Sequence, residues 1–233
     1  MSVSRIIHMK KIAKSHAVYF LIVALLFLNS CASIASHSGF LENYTPLQSG
    51  VDFKEEFFDP AANFSKYTKV KVTPTNIKFF DPEKKAELEL ADIDRLALLF
   101  SSDIECVFAE KFLVIHAAAK ADERTLVISP AITSATKANI LLNWAVLLIP
   151  IPFLSLVINS SGSASFEAKM TDGATGKLLA TTVERRRGNF DLKSIFIGSY
   201  VDPFTHAEEI LNTWAKHLLE FVETRQTQSA SIR

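Results

Sequence analysis

Apolar and polar residues alternate with a period of two in several parts of the chain, which is typical of β-strands. The clearest alternation covers 163–171, and shorter examples cover 67–80, 112–117 and 125–133. Pro74 cannot donate a backbone hydrogen bond, so it is predicted to interrupt its strand or place it at a sheet edge. His116 ends one of these strands and is predicted to be half-buried.

A hairpin is predicted between 163–171 and a second strand at 177–186. The connecting residues 172–176 read Asp-Gly-Ala-Thr-Gly. Glycine adopts the positive φ that short hairpin loops require. Gly176 is therefore expected at positive φ.

The period changes to that of an amphipathic helix over 87–111. Acidic residues crowd its first turns, where negative charge suits the helix dipole. They also raise the alternative of a carboxylate metal site, which is disfavoured because no histidine lies close in sequence. The acidic residues are Glu87, Glu89, Asp92 and Asp94.

A last helix is predicted to begin with Asp202 as N-cap and Pro203 at the first helical position. Its apolar face is expected to pack on the sheet, and residues 226–233 are expected to form a disordered polar tail. The predicted buried positions are Phe204, Ala207, Ile210, Leu211, Trp214, Leu218 and Val222.

These elements predict an α+β fold, a two-layer domain with a mostly antiparallel sheet and helices packed on one face. The domain is expected to cover 65–225. It is preceded by a lipoprotein signal peptide at 1–30 and by a tether and extended lead-in at 31–64. Part of the lead-in, 38–47, has too many apolar residues for a solvated linker and should dock on the domain.

The first 30 residues resemble a secretory signal. Basic residues at Arg5, Lys10, Lys11 and Lys14 precede the uncharged run 17–28, which is too short for a spanning helix. Translation can start at Met1 or at Met9, and the sequence leaves that choice open.

Cys31 directly follows this signal in the sequence Leu28-Asn29-Ser30-Cys31. This resembles a bacterial lipobox, in which diacylglycerol is added to the thiol before cleavage and further acylation, typically with palmitate, anchors the chain to the membrane. Several acyl chains together hold a protein firmly on a bilayer. The alternative is an ordinary signal peptide followed by a chance cysteine. The residue after the cysteine is Ala32 and not Asp, which by resemblance to known lipoprotein sorting favours the outer membrane.

Charge and cysteine content argue against a nucleic-acid surface and against an intramolecular disulfide. The chain has 25 Lys and Arg and 25 Asp and Glu, and removal of the leader, which holds four basic residues, leaves a net charge of about −4. This disfavours a nucleic-acid surface. With Cys31 acylated, Cys106 is the remaining thiol, so no intramolecular disulfide is expected. Cys106 is predicted to be a small buried residue on a helix.

Arg185, Arg186 and Arg187 form the densest basic run of the mature chain. Alternate residues of a strand face opposite sides. The run can contact an anionic ligand or a partner, or it can be an ordinary strand end with salt bridges.

Residues 140–158 contain many large apolar side chains and no charge. Pro150 and Pro152 disfavour a continuous spanning helix. Three interpretations remain: docking on the domain's own core, a hairpin that contacts the membrane or a partner, and a true span. In the second, the contact surface would include Trp144, Leu147, Ile151 and Phe153.

Three short motifs together resemble a known family. They are Gly39-Phe40-Leu41 with Asn43-Tyr44 and Leu47, the loop 172–176 with Leu179-Ala180, and Glu184-Arg185-Arg186. They are similar to those of bacterial lipoproteins grouped as domain of unknown function 3313, in which Asp is usual at the positions of Asn43 and Glu184. The resemblance implies an envelope lipoprotein with a small α/β domain, and it brings no established activity.

The sequence contains no G-x-S-x-G, H-E-x-x-H, phosphate-binding glycine loop or C-x-x-C motif. It therefore predicts no catalytic residue, metal or cofactor. We expect a non-enzymatic outer-membrane protein, attached by lipid on Cys31, whose periplasmic domain binds an envelope protein or lipid. The alternative is a hydrolase or transferase acting on envelope lipid or glycan, for which His116 or an arginine should meet two carboxylates.

Overall fold

The computed structural model describes residues 37–137, 163–187 and 205–231. Predictions that fall elsewhere, including Cys31, the segment 140–158 and the Asp202-Pro203 helix start, lie outside the described residues. The elements follow in chain order. They are β1 (Gln48–Ser49), β2 (Glu55–Phe58), a 3-10 turn (Phe64–Lys66), β3 (Lys69–Val72), α1 (Pro82–Ala86), α2 (Leu90–Phe108), β4 (Leu113–Ile115), β5 (Thr125–Thr136), β6 (Ser163–Asp172), β7 (Leu178–Arg187) and α3 (Thr205–Ser231).

The strands form a seven-stranded sheet in the order β1-β2-β7-β6-β5-β3-β4. Pairing is antiparallel from β1 to β5 and parallel at β5–β3 and β3–β4. The parallel edge arises because α2 carries the chain from β3 back to the start of β4, a connection that parallel neighbours require. The predicted α+β class, with a mostly antiparallel sheet and helices on one face, is confirmed.

The core lies between one face of the sheet and the helices α2 and α3. Phe166 of β6 is at its centre, with its ring 4.6 Å from that of Trp214 on α3 and 5.4 Å from that of Phe100 on α2. All three side chains are buried. The helical and strand periodicities of the sequence therefore identified the apolar faces correctly.

The β6–β7 hairpin forms as predicted, with Gly176 at φ +70°. Two other predictions were wrong. His116 lies beyond β4 and is exposed, because the strand ends at Ile115. Cys106 is on α2 but is exposed, since two residues of helix rotate it about 200° away from buried Ile104.

Helix α3 continues through most of the predicted disordered tail and reaches Ser231. The reason is a set of contacts made by polar residues. The Gln226 side chain donates to the carbonyl oxygen of Tyr67 at 3.0 Å, and the Phe64 N–H donates to the Ser229 hydroxyl at 3.3 Å. The end of α3 is thus attached to the 3-10 turn.

The folded domain also begins well before the predicted boundary at residue 65. β2 joins the sheet beside β7, where Glu55 is paired with Val183, and Phe53 belongs to the hydrophobic core. From His37 onward, the lead-in is therefore largely part of the folded domain. Among the described residues, no helix combines the length and apolarity needed to cross a membrane.

Candidate functional site

The motif-bearing part of the lead-in crosses the sheet face opposite the helices. We call residues 37–47 the strap. Its main contact is with Glu167 of β6, a carboxylate in a residue only 1% exposed. One oxygen of Glu167 accepts the Ser38 N–H at 2.8 Å, and the other accepts the Tyr44 hydroxyl at 2.6 Å. A buried carboxylate is costly unless it is hydrogen-bonded, and the strap supplies both bonds.

Tyr44 links this carboxylate to the backbone of the strap. Its oxygen accepts the N–H groups of Gly39 and Leu41 at 2.9 and 3.1 Å while its hydroxyl donates to Glu167. Burial and the neighbouring Glu167 raise the pKa of the Tyr44 phenol, so it remains a donor at neutral pH. Gly39 has φ +89°, a conformation that side chains rarely adopt.

Apolar contacts complete the strap. Phe40 and Leu41 are buried, and the Phe40 ring meets Phe79 edge-on with 5.7 Å between ring centroids. The Lys169 ammonium lies 4.7 Å from the centre of the Phe40 ring. The expected docking of 38–47 is thus confirmed, and the Gly39-Phe40-Leu41 and Tyr44 motif has a structural role in that docking.

The second motif, the 172–176 loop, is organised by the buried carboxylate of Asp172. It accepts bonds from the Lys66 ammonium at 2.5 Å, the Tyr67 hydroxyl at 2.9 Å and the backbone N–H groups of Ala174 and Thr175. Burial alone would raise the pKa of Asp172, but the Lys66 ammonium and the Thr175 donors hold it below its usual value. Burial and the bond to Asp172 raise the pKa of Tyr67. This arrangement fastens the hairpin to the 3-10 turn.

The three predicted arginines are divided between the two faces of β7. Arg185 is exposed, whereas Arg186 shares the helix-facing side with Glu184, since these residues oppose Ala164 and Phe166 of β6. The Arg186 Nη2 lies 3.2 Å from His217 Nδ1 and 4.0 Å from a Glu184 oxygen. Arg186 therefore has intramolecular partners. The side chain of Arg187 lies outside the described residues.

Arg225 meets two carboxylates in the described part of the chain. Its Nη2 lies 3.3 Å from a Glu56 oxygen and 3.7 Å from an Asp52 oxygen. The guanidinium is also 4.5 Å from the Phe58 ring and 4.4 Å from the Phe221 ring, and the residue is only 8% exposed. These contacts attach Arg225 of α3 to β2.

The remaining candidate residues from the sequence, the acidic residues near α2 and His116, are not brought together in one site. Within the described ranges no three His, Cys, Asp or Glu side chains come close enough to hold a metal ion. The predicted acidic residues lie around the start of α2, with Glu89 at the N-cap and Asp92 in the first turn. Exposed His116 uses its Nδ1 to accept the Ala118 N–H at 3.1 Å.

Sequence reasoning missed Glu167 and Asp172 as the residues that hold the two motifs in place. Glu167 occupies a polar position of an alternating strand, which indicates solvent exposure. Its partners are 123 and 129 positions away. The signal that could have identified it was the unexplained apolar content of 38–47, which required a surface to cover.

The chain is similar to solved structures at low sequence identity. A PelC dodecamer variant from Paraburkholderia phytofirmans is 14% identical with a TM-score of 0.40, covering 70% of this chain and 94% of that one. Protein XCC0632 from Xanthomonas campestris, of family DUF330, is 9% identical with a TM-score of 0.38, covering 74% and 93%. No curated protein matches the chain.

A family model matches most of the chain, from residue 36 to residue 218. The match contains the strap, the hairpin loop and the arginine run whose geometry is described above. Its description is "Protein of unknown function (DUF3313)". The chain belongs to the DUF3313 family.

Proposed function

We propose that this protein is a lipid-anchored component of the outer membrane, on its periplasmic side, whose domain binds another envelope component. The observation that carries this proposal is the docking of the strap so soon after the lipobox. Leu28-Asn29-Ser30-Cys31 supplies the attachment point, and the folded domain is already engaged at Ser38 through Glu167.

The length of chain between lipid and domain is therefore small. Residues 32–36 separate Cys31 from His37, which bonds Glu55 at 2.8 Å. An extended chain spans at most about 3.6 Å per residue, so six residues of chain can reach no farther than about 22 Å. An acylated Cys31 would keep the strap side of the domain close to the membrane surface, where it can meet lipid or a membrane-associated protein.

A second feature supports contact at one end of the sheet. Thr136, Ser163 and Arg187 are neighbours across β5, β6 and β7, and they define what we call the open end. In the sequence, the apolar segment 140–158 lies between Thr136 of β5 and Ser163 of β6. Exposed Arg185 is near it, and arginine suits anionic lipid headgroups. The proposed membrane or partner surface comprises this end with Trp144, Leu147, Ile151 and Phe153.

The test of anchoring is Cys31→Ser in cells, with Cys106→Ser as the matched control. Cys31→Ser should abolish labelling by a fatty-acid probe and release the protein from the membrane fraction, whereas Cys106→Ser should change neither. Separation of inner and outer membranes checks the location. A Cys31→Ser protein that is still labelled and cleaved would refute the lipobox, and wild-type protein in the inner membrane would refute the sorting prediction.

A further inference from the structure

A surface groove runs along the side of α2 that faces away from α3. Its apolar lining comes from α2 and from the connections that follow β3 and β4. The groove is open to solvent and has a volume of about 590 Å³, within the size range of ligand sites. The apolar members are Pro74, Ile77, Ala97, Leu98 and Ala117. Leu98 is 73% exposed. A large aliphatic side chain therefore faces water beside the other apolar lining residues of the groove.

The groove is built on fixed backbone. The Ser101 hydroxyl of α2 accepts the Thr75 N–H at 3.0 Å and lies 2.6 Å from the Thr75 hydroxyl. The next residue, Asn76, donates its N–H to the Pro130 carbonyl at 2.9 Å and its carbonyl accepts the Ile132 N–H at 3.1 Å. Residues Thr75 and Asn76, on one side of the groove, are thus hydrogen-bonded to α2 and β5. A preformed groove binds with less loss of conformational entropy than a mobile one.

Charge in the groove is of one sign. Asp94 and Glu105 line it, and no Lys, Arg or His is found among its lining residues in the described part of the chain. Neither carboxylate has an ion-pair partner within the described ranges. The two residues are eleven positions apart on α2, which places them about 16 Å apart along the helix axis.

We propose that this groove binds an extended apolar segment of a partner protein that carries a lysine or arginine at each end. The apolar side chains would cover Leu98, and the two cations would meet Asp94 and Glu105. An extended chain advances about 3.4 Å per residue, so a 16 Å separation corresponds to basic residues about five positions apart. Opposite charges at both ends fix the register and disfavour acidic segments.

This inference specifies the partner class of the binding role proposed above, and its test is independent of anchoring. Peptide binding can fail while Cys31 still carries lipid, and membrane release by Cys31→Ser does not alter the groove. The two proposals therefore fail separately.

The probe is a fluorescein-labelled peptide, Lys-Leu-Ala-Val-Leu-Lys-amide, titrated with the full mature chain in detergent, with empty micelles as the blank. Fluorescence anisotropy should show saturable binding that weakens several-fold between about 50 and 300 mM salt, because exposed charge pairs are screened. The same peptide with Glu in place of both Lys should bind at least tenfold more weakly.

Three variants locate the binding. Leu98→Asp should weaken it at least tenfold, whereas Leu90→Asp should leave it unchanged, since Leu90 is exposed on the same helix but outside the groove. The double change Asp94→Lys with Glu105→Lys should reverse the preference, so that the Glu peptide binds more tightly than the Lys peptide. Circular dichroism confirms that each variant is folded.

Several results would overturn the proposal. Equal binding of the Lys and Glu peptides would remove the role of the two carboxylates. Unchanged binding by folded Leu98→Asp would place the peptide elsewhere. A wild-type dimer that becomes monomeric in Leu98→Asp would show that a second copy of this chain occupies the groove, and loss of lipid-vesicle binding in the same variant would show a membrane surface.

Discussion

Phe166 and Glu167 are adjacent on β6 and cover opposite faces of the sheet by different means. Phe166 faces the helices, where its ring contacts those of Phe53, Phe100 and Trp214. Glu167 faces the strap, where it accepts two hydrogen bonds and is equally buried. The helix-facing side is stabilised by many apolar contacts, whereas the strap side combines the Glu167 carboxylate with the few apolar contacts of Phe40 and Leu41.

This difference predicts how the helix-facing core and the strap should respond to destabilising substitutions. Loss of apolar volume in a packed core leaves a cavity that the surrounding structure fills only in part. Loss of a hydrogen-bond acceptor under a strap leaves donors that can return to water if the strap detaches. The helix layer should therefore fail as part of global unfolding, whereas the strap can open locally while the sheet stays folded.

The largest expected effect is that of Phe166→Ala. Truncating this fully buried ring should lower the free energy of unfolding by about 3–5 kcal/mol. Urea denaturation followed by circular dichroism measures the change. Leu113→Ala is the matched control, because Leu113 is exposed and the loss there should stay within about 0.5 kcal/mol. Equal effects of the two substitutions would refute the placement of Phe166 at the centre of the core.

An intermediate effect is expected for Glu167→Ala, which leaves the Ser38 N–H and Tyr44 hydroxyl without their acceptor. The global stability should fall by about 1–3 kcal/mol. The distinguishing result is faster cleavage within 37–47 under limited proteolysis, mapped by mass spectrometry.

Glu167→Gln is the isosteric control for this change. Its amide retains one acceptor oxygen but presents an NH₂ group to the second donor, so cleavage should be intermediate between wild type and Glu167→Ala. Cleavage at wild-type rate in Glu167→Ala would mean that the apolar contacts of Phe40 and Leu41 hold the strap without the carboxylate.

The smallest expected effect is that of Gly176→Val in the hairpin, which belongs to neither face. A β-carbon at Gly176 would meet no atom within 4 Å, so the cost comes from the φ of +70° alone. The expected loss is about 1 kcal/mol or more, measured by thermal melting. Gly176→Asn should lose less, because asparagine tolerates this conformation better. An unchanged melt for Gly176→Val would contradict the turn assignment.

Local patterns in the sequence were sufficient for the elements whose faces are set by periodicity. The β6–β7 hairpin and the buried faces of α2 and α3 follow from apolar spacing and from Gly176. The same spacing does not identify a strand's neighbour, so the parallel pairing of β3 with β4 and β5 was not predicted. Nor does composition reveal a contact such as that of Gln226 with Tyr67, which turned an expected disordered tail into helix.

The candidate site was harder to predict for the same reason. Arg185 and Arg186 were identified from sequence, but their separation onto opposite faces gives them different surroundings. Arg225 was not singled out, although it meets Asp52 and Glu56, because its partners are far away in sequence. Residues that act through distant pairing carry no local signal when a single sequence is read.

The large sequence separation between the strap and β6 also sets the order in which the domain can assemble. Ser38 and Glu167 are 129 positions apart, whereas β6 and β7 are joined by a tight turn. Contacts between distant residues form slowly because a long loop must close first. A chain made from its amino terminus exposes Phe40 and Leu41 long before β6 is made to receive them. The strap can therefore dock only after the chain has been made through Glu167.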